Sequence, residues 1–445
     1  MRTSRATEPA RALAVVALAG SLGVVPLATA LPATRRSRPG PPDGPVPGRR
    51  RSRTGHMARG AGPVNPPSGA VPRRRVDTAE RTRPRSRCEG AVTAVTQTRE
   101  LDAAAVHTLL AAAVAAPSIH NTQPWRFGLD PDSGTVQVRA DRRRQLPRAD
   151  PLRRAQHMSV GAAVFNLRVA AEHLGWDPVV RLRPAVDDPD LLATVRLSCP
   201  TADRHLSLSG LYDAVERRHT SRMPFTGRPV PDPVVTEMIG AARAEGAHLD
   251  VPDIMGTRRL LHLTEAAETR NAADPAGTGE MRAWVTPPGE RTPYGIPLNA
   301  LGPRDASGRM PVRDFTGVLP VPRLPAVRFE RHAQVALLWT SHDRPEDWLR
   351  AGQALERVLL AATRRGVRTS VLHQAMEWPD LRAAVAGTRR RCSPHLLIRF
   401  GYGSGSGGGR TPRASARPVA GPGPGAGARR PGRGPDQGQG QGWAH

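Results

Sequence analysis

Residues 161–175, GAAVFNLRVAAEHLG, align without a gap to residues 352–366, GQALERVLLAATRRG. Gly161 matches Gly352, Ala163 matches Ala354, Ala170 and Ala171 match Ala361 and Ala362, and Gly175 matches Gly366. Apolar residues coincide at Val164 with Leu355, Leu167 with Val358 and Val169 with Leu360. Both copies are rich in alanine and end at glycine, which marks a helix and its stop. Each leads to a strand-like run, closing near 195–197 in the first copy and 396–400 in the second. Small residues on a helix face let two helices approach closely. The pattern therefore predicts two related halves with facing central helices, a dimer fused into one chain.

Composition sets the limits of the foldable part. Residues 1–90 carry 18 Arg against 5 acidic residues, and residues 401–445 carry 6 Arg against one Asp. Of the net charge of +26, only +8 is left for residues 91–400. All 65 basic residues are arginine, which fits the codon bias of a GC-rich genome before it fits a nucleic-acid partner. The flanks also lack the interleaved aromatics on which single-stranded bases stack.

Residues 12–33 are mostly apolar behind Arg2, Arg5 and Arg11, with Pro26 interrupting them. That texture suits an export signal or a marginal membrane span. The next stretch of roughly 55 residues is dominated by Arg, Pro and Gly without helical or strand periodicity, and such a composition cannot repay the entropy of ordering. Upstream DNA read as protein, an export segment and a disordered basic arm all fit residues 1–90, and the first is the plainest. Residues 404–445 are expected to be disordered on the same grounds. Cys88, Cys199 and Cys392 are odd in number and form no CxxC, supporting neither a disulfide framework nor a zinc site. No HExxH or P-loop pattern occurs, so no metal is expected. A cytoplasmic protein without membrane association is the expectation.

Between the flanks, helices are expected at 101–116, 158–174, 212–218, 233–245, 258–271 and 348–364. Strands are expected at 125–129, 135–140, 179–182, 191–197, 335–339 and 395–400. Such a mixture predicts an α+β fold, with halves at 91–210 and 211–403. Residues 272–325 hold 10 Pro and only a short helical run near 280–285. A stretch of that kind reads as a lid or a linker. It carries Trp284, Tyr294 and Phe315, large enough to cover a flat ring.

The motifs narrow the reading. APSIHNTQPWRF (116–127) resembles the APSxxNxQPW signature of nitroreductase-like flavoproteins, with His120 as in the branch related to the mycobacterial Acg protein. ERRHTSRMPF (216–225) is similar to the phosphate segment of that superfamily, and residues 352–374 and 394–403 continue the likeness. The resemblance spans roughly residues 95–403. It implies a nitroreductase-like α+β fold, two half-domains with antiparallel-type sheets packed around central helices, and one bound FMN. It further implies electrons from NAD(P)H, a nitroaromatic, quinone or similar small-molecule acceptor, and a monomer by internal pseudo-dimerisation.

Carried onto this chain, the resemblance puts Arg218, Ser221 and Arg222 on the phosphate and ribityl chain, with Arg399 closing on the phosphate. Pro117, Ser118, Asn121 and Gln123 would lie against the ring, and Thr369 and Ser370 near its N5 atom. It names no catalytic residue. The residue types suit the task, because arginine forks and hydroxyls hold a dianionic phosphate and amides match the ring's polar edge. The family order of the two motifs is inverted here, which supports fusion, because different halves of one chain then supply the two parts of a composite site. Two other readings stay open. One is an FMN-sequestering protein with little turnover, since Acg-like members carry a lid. The other is a nucleic-acid-associating protein acting through its basic flanks, whose binding would weaken steeply with salt.

Overall fold

In the computed structural model, which describes residues 101–201, 205–315, 324–389, 391–403, 408–415 and 419–420, the two repeat copies are packed helices. The segment read as an export signal or basic arm lies outside the described residues. The first half runs α1 (Ala103–Val114), β1 (Trp125–Asp130), β2 (Thr135–Ala140), α2 (Arg154–His173), β3 (Asp177–Leu182) and β4 (Leu191–Ser198). Asp102 starts α1 by accepting from the Ala105 amide at 2.7 Å, which satisfies one of the amides a helix start leaves unpaired. The second half contributes α3 (Tyr212–Arg217), α4 (Asp232–Ala244), β5 (His248–Asp250), α5 (Ile254–Ala273) and α6 (Pro275–Arg282). Four two-residue strands come next, β6 (Val285–Thr286), β7 (Ile296–Pro297), β8 (Arg304–Asp305) and β9 (Ala326–Val327). Then come β10 (Gln334–Thr340), α7 (Pro345–Arg364), β11 (Arg368–Leu372), α8 (Gln374–Glu377), α9 (Pro379–Ala386), β12 (Ser393–Gly401) and β13 (Val419–Ala420).

Two main sheets result. The first has the order β13-β1-β2-β4-β3, antiparallel throughout except that β13 joins β1 in parallel. The second has the order β11-β12-β10-β5 and is antiparallel. The cores of the two halves interpenetrate. Leu349 and Leu360 of α7 are buried in the first half's core, whereas Ala155 and Met158 of α2 are buried in the second half's. Both α2 and α7 are buried along most of their lengths. None of the helices among the described residues is long and apolar enough to cross a membrane.

Glycine makes that exchange possible. A Cβ on Gly161 would overlap the Leu349 carbonyl oxygen, and one on Gly352 would overlap the Met158 carbonyl oxygen. The obstacle is backbone in each case, so no rotamer change relieves it. The two repeat glycines thus meet the opposite helix in reciprocal fashion, as a two-fold relation between the halves requires.

Several elements differ from the sequence expectation. α2 begins at Arg154 rather than 158 because its polar first turn is buried: Arg154 donates to the Pro394 carbonyl at 3.0 Å and lies 3.2 Å from His395 Nδ1. Buried polar residues of that kind read as surface in a sequence. β5, β11, α8 and α9 are additional. Residues 272–315 contain α6 and short ladders rather than bare coil. Residues 408–415 and 419–420, within the tail expected to be disordered, are held in place, the first stretch by side chains of the 116–127 motif.

Gly161→Ala or Gly352→Ala should destabilise the protein by about 3 kcal/mol or more, at the upper end of overpacking costs, despite alanine's better helix propensity. Urea denaturation measures it; a loss below about 0.5 kcal/mol, as for a neutral surface change, would mean that the helices do not meet there.

Candidate functional site

The loop between α1 and β1 is the hub of the site. His120, Asn121 and Gln123 all adopt left-handed backbone conformations, with φ of 47°, 55° and 50°. Strain of this kind persists only where surrounding bonds fix it, and here they do. The Ser118 hydroxyl accepts from the Gln123 amide at 3.0 Å, and the Ile119 amide donates to Ser159 Oγ at 3.3 Å. The Asn121 amide donates to the Gly295 carbonyl at 2.8 Å and the Pro412 carbonyl at 3.0 Å, while its oxygen accepts from Arg413 at 2.8 Å. Gln123 donates to the Pro293 carbonyl at 2.6 Å and accepts from the Ala414 amide at 3.0 Å. The two amide side chains of the motif thereby become ties that draw the 293–295 and 412–414 segments onto one loop.

Beside this hub lies a cavity of about 320 Å³, bordered by Arg218, Arg222, Arg410 and Arg413 together with Asn121 and Thr220. Arg218 follows α3, donates to the Ala115 carbonyl at 3.1 Å, and faces the fully buried Glu356 of α7 at 3.4 Å. Burial raises the Glu356 carboxyl to about 7, although Arg218 works in the other direction. Arg222 donates to the Ala300 carbonyl at 3.0 Å and has no carboxylate partner among the described residues. Burial lowers its pKa to about 10. Arg413 is lowered to about 9, by burial first and then by Arg218, and its Nε is buried without a partner among the described residues. Arg410 donates to the Glu216 and Arg217 carbonyls at 2.8 and 3.1 Å. Buried Arg218 and the desolvated Arg222 and Arg413, with the exposed Arg410 beside them, surround one void and are arranged to receive an anion.

A second cavity, about 150 Å³, adjoins the first through Pro117, Ser118, Thr220 and Arg222. Its walls include His120, Phe315, Ser370 and Leu372. Phe315 stands edge-on to His120, with ring centroids 5.5 Å apart. Arg313 and Glu377 form an ion pair at its end. Burial alone would raise the Glu377 carboxyl, but Arg313 and then His373 hold it down to about 2. One chamber is bordered by four arginines and the other includes Phe315 and His120, and together they suit a molecule with a phosphate at one end and a ring at the other. No group of three His, Cys, Asp or Glu residues among those described could hold a metal ion.

The structure thus brings together Pro117, Ser118, Asn121, Arg218, Arg222 and Ser370 along the two cavities. It does not bring Arg399 there. That side chain is 1% exposed, makes two 2.6 Å bonds to Glu330, and lies over the Phe225 and Phe329 rings. Ser221 and Thr369 are buried behind the walls, joined by a 2.8 Å bond from the Ser221 amide to the Thr369 carbonyl. Gln123 spends both ends of its amide on the two crossing segments. Of the three lid aromatics only Phe315 borders the chamber; Tyr294 lies over the Arg144 guanidinium at 3.6 Å. Arg410 and Arg413 were not legible, because in a chain with 65 arginines a pair inside a glycine-rich tail carries no signal.

No family model matches the chain. In Mycobacterium tuberculosis strain H37Rv, the protein named "Putative NAD(P)H nitroreductase Rv3131" is 32% identical over 306 residues, covering 68% of this chain and 86% of that protein. "Putative NAD(P)H nitroreductase acg" of the same strain is 30% identical over 292 residues, 64% of this chain and 85% of that one. "Uncharacterized protein Rv3127" is 31% identical over 290 residues, 64% and 83%. Identity at this level along most of those proteins' lengths, with the motif loop at the centre of a two-part cavity, means that the chain belongs to the nitroreductase superfamily, in its Acg-like branch.

Proposed function

We propose that this chain holds one FMN and works as an NAD(P)H-dependent oxidoreductase, reducing a nitroaromatic, quinone or similar small acceptor as a cytoplasmic monomer. The observation that carries the reading is the cluster Arg218, Arg222, Arg410 and Arg413 around a cavity that opens into a ring-sized chamber. Both described cysteines are free thiols, as suits a reducing compartment. The cofactor, when bound, supplies the two-electron chemistry.

The protein's own work is binding, orientation and exclusion of water. The four arginines would take the phosphate, and Glu356 would keep Arg218 turned toward it. Pro117 and Ser118 on one side and Ser370 on the other would bracket the ring. Phe315 would cover it, with Ile296 over the phosphate cavity. That cover favours a second reading, a flavin holder with restricted turnover. Asn121, Gln123 and Arg222 each bond a carbonyl of residues 293–300, so the cover is tied to the site itself.

FMN titration of the full chain, followed by flavin fluorescence, tests the phosphate site. FMN should bind and riboflavin should bind much more weakly. Arg222→Ala should weaken FMN roughly 10- to 100-fold, the range for losing a hydrogen bond to a charged group; equal affinity for FMN and riboflavin would place the phosphate elsewhere. Stopped-flow reduction tests the cover. With Phe315 held over the ring chamber and residues 293–300 tied to the site, dithionite should reduce the bound flavin quickly and NADPH slowly. Reduction by NADPH at tens per second or faster, an ordinary enzymatic rate, would discard the restricted reading and leave an open reductase.

A further inference from the structure

His120 stands in a wall between two cavities. It borders the ring chamber, and on its other side a smaller space of about 90 Å³ lined by Arg148, Asn271, Asp274, Thr278 and Trp378. Arg313 and Glu377 border both spaces. The outer space is polar and reaches half-exposed residues such as Asp274. His120 is 8% exposed, and its Nε2 atom is buried with no hydrogen-bond partner among the described residues. Leaving such a group unpaired costs roughly 1–3 kcal/mol, so a buried nitrogen without a partner, on a residue that borders two cavities, calls for an explanation.

The surroundings fix the ring and its charge. Its left-handed backbone is locked by the Asn121 bonds to residues 295 and 412. The Phe315 edge holds one side of the ring. Around it stand Arg313, Arg222 and His373, with Glu377 as the opposing charge. Glu377 is itself engaged by Arg313, by the Asn271 amide at 3.0 Å, and by His373 Nδ1 at 3.3 Å. Burial, then Arg313, lowers the His120 pKa to about 3. The imidazole is therefore neutral at physiological pH, with one N–H and one lone pair. A ring in that state can release a proton from one nitrogen while taking one at the other.

Resting on the flavin reading above, we propose that His120 is a proton relay, passing a proton from water in the outer cavity to the acceptor reduced in the ring chamber. A quinone or nitro acceptor takes two electrons and one hydrogen as hydride, supplied ultimately by NAD(P)H. As it does so an acceptor oxygen forms a new O–H bond and the imidazole N–H bond breaks. The opposite ring nitrogen takes a proton from solvent through the outer cavity, so the ring stays neutral and the net proton comes from bulk water; proton exchange with water then restores the starting tautomer before the next turnover.

The test uses the full FMN-loaded chain with His120→Phe, which keeps the ring shape and the edge contact but removes both nitrogens. FMN affinity is read by fluorescence. Reoxidation of the reduced protein is then measured with a benzoquinone, whose reduction consumes a proton, and with ferricyanide, which accepts electrons alone. The relay requires FMN affinity within about threefold of wild type, an unchanged ferricyanide rate, and a quinone rate lower by ~100-fold, at the low end of general-acid contributions. His120→Gly, free of backbone strain at this position, should show the same quinone defect and recover with added imidazole. An unchanged quinone rate with normal FMN binding overturns the relay alone. Loss of FMN from both variants makes His120 a cofactor ligand and also overturns it. A wild-type chain that binds no FMN overturns the flavin reading itself, and the relay with it.

Discussion

The contact of α2 with α7 across Gly161 and Gly352 fixes where everything else can lie. Each glycine places its backbone against a carbonyl of the opposite helix, which sets the helices at a separation that only Cβ-free positions permit. At that distance the halves share side chains, with Leu349 and Leu360 in one core and Ala155 and Met158 in the other. The loop after α1 and the segment after α3 are brought to the same side of the pair, joined where Arg218 donates to the Ala115 carbonyl. A composite site normally requires two chains when its parts come from two copies of a domain. Here Arg218 and the Ala115 carbonyl that it reaches belong to one chain, so covalent linkage holds these two parts together at any protein concentration.

Charge then organises the site. Glu356, buried on α7, is the carboxylate that Arg218 faces, whereas Arg222 has no such partner among the described residues. A buried cation without a counter-charge is costly, so the cluster is most stable with an anion in place. The neutral amides of Asn121 and Gln123 do different work. They pair carbonyls of two segments that would otherwise cross the site with unsatisfied backbone. The same residues that mark the family motif therefore act here as ties for residues 293–295 and the tail, and Arg413 enters the cavity because Asn121 accepts from it.

Much of this architecture was legible in local sequence. Alanine-rich repeats ending in glycine marked the central helices, and alternating apolar residues marked β1, β2 and β4. The motif loop and the segment around Arg222 led to the two cavities. What was hidden depended on partners far along the chain. Arg399 reads as a phosphate ligand only while Glu330 is unknown, and nothing local shows that the two meet in a buried pair. Thr369 sits where a ring contact was expected, yet its carbonyl is taken by Ser221 through strand-like pairing. Arg410 and Arg413 lie in a stretch whose composition argues for disorder, and order there comes from Asn121 and Gln123, about 290 residues earlier. His120 offered a motif match and no role; only its burial between two cavities distinguishes it from a packing residue.

The central claim is that one chain, by folding as its own dimer, builds a single composite flavin site. Measurement of acid-released FMN against protein, on material whose molecular mass in solution is determined in the same run, tests it most directly. The fused arrangement predicts about one FMN per chain on a monomer, because each half of the site occurs once in the sequence, whereas a symmetric homodimer presents each site twice. A ratio near two per chain, or a flavin bound only by a dimer, would contradict it.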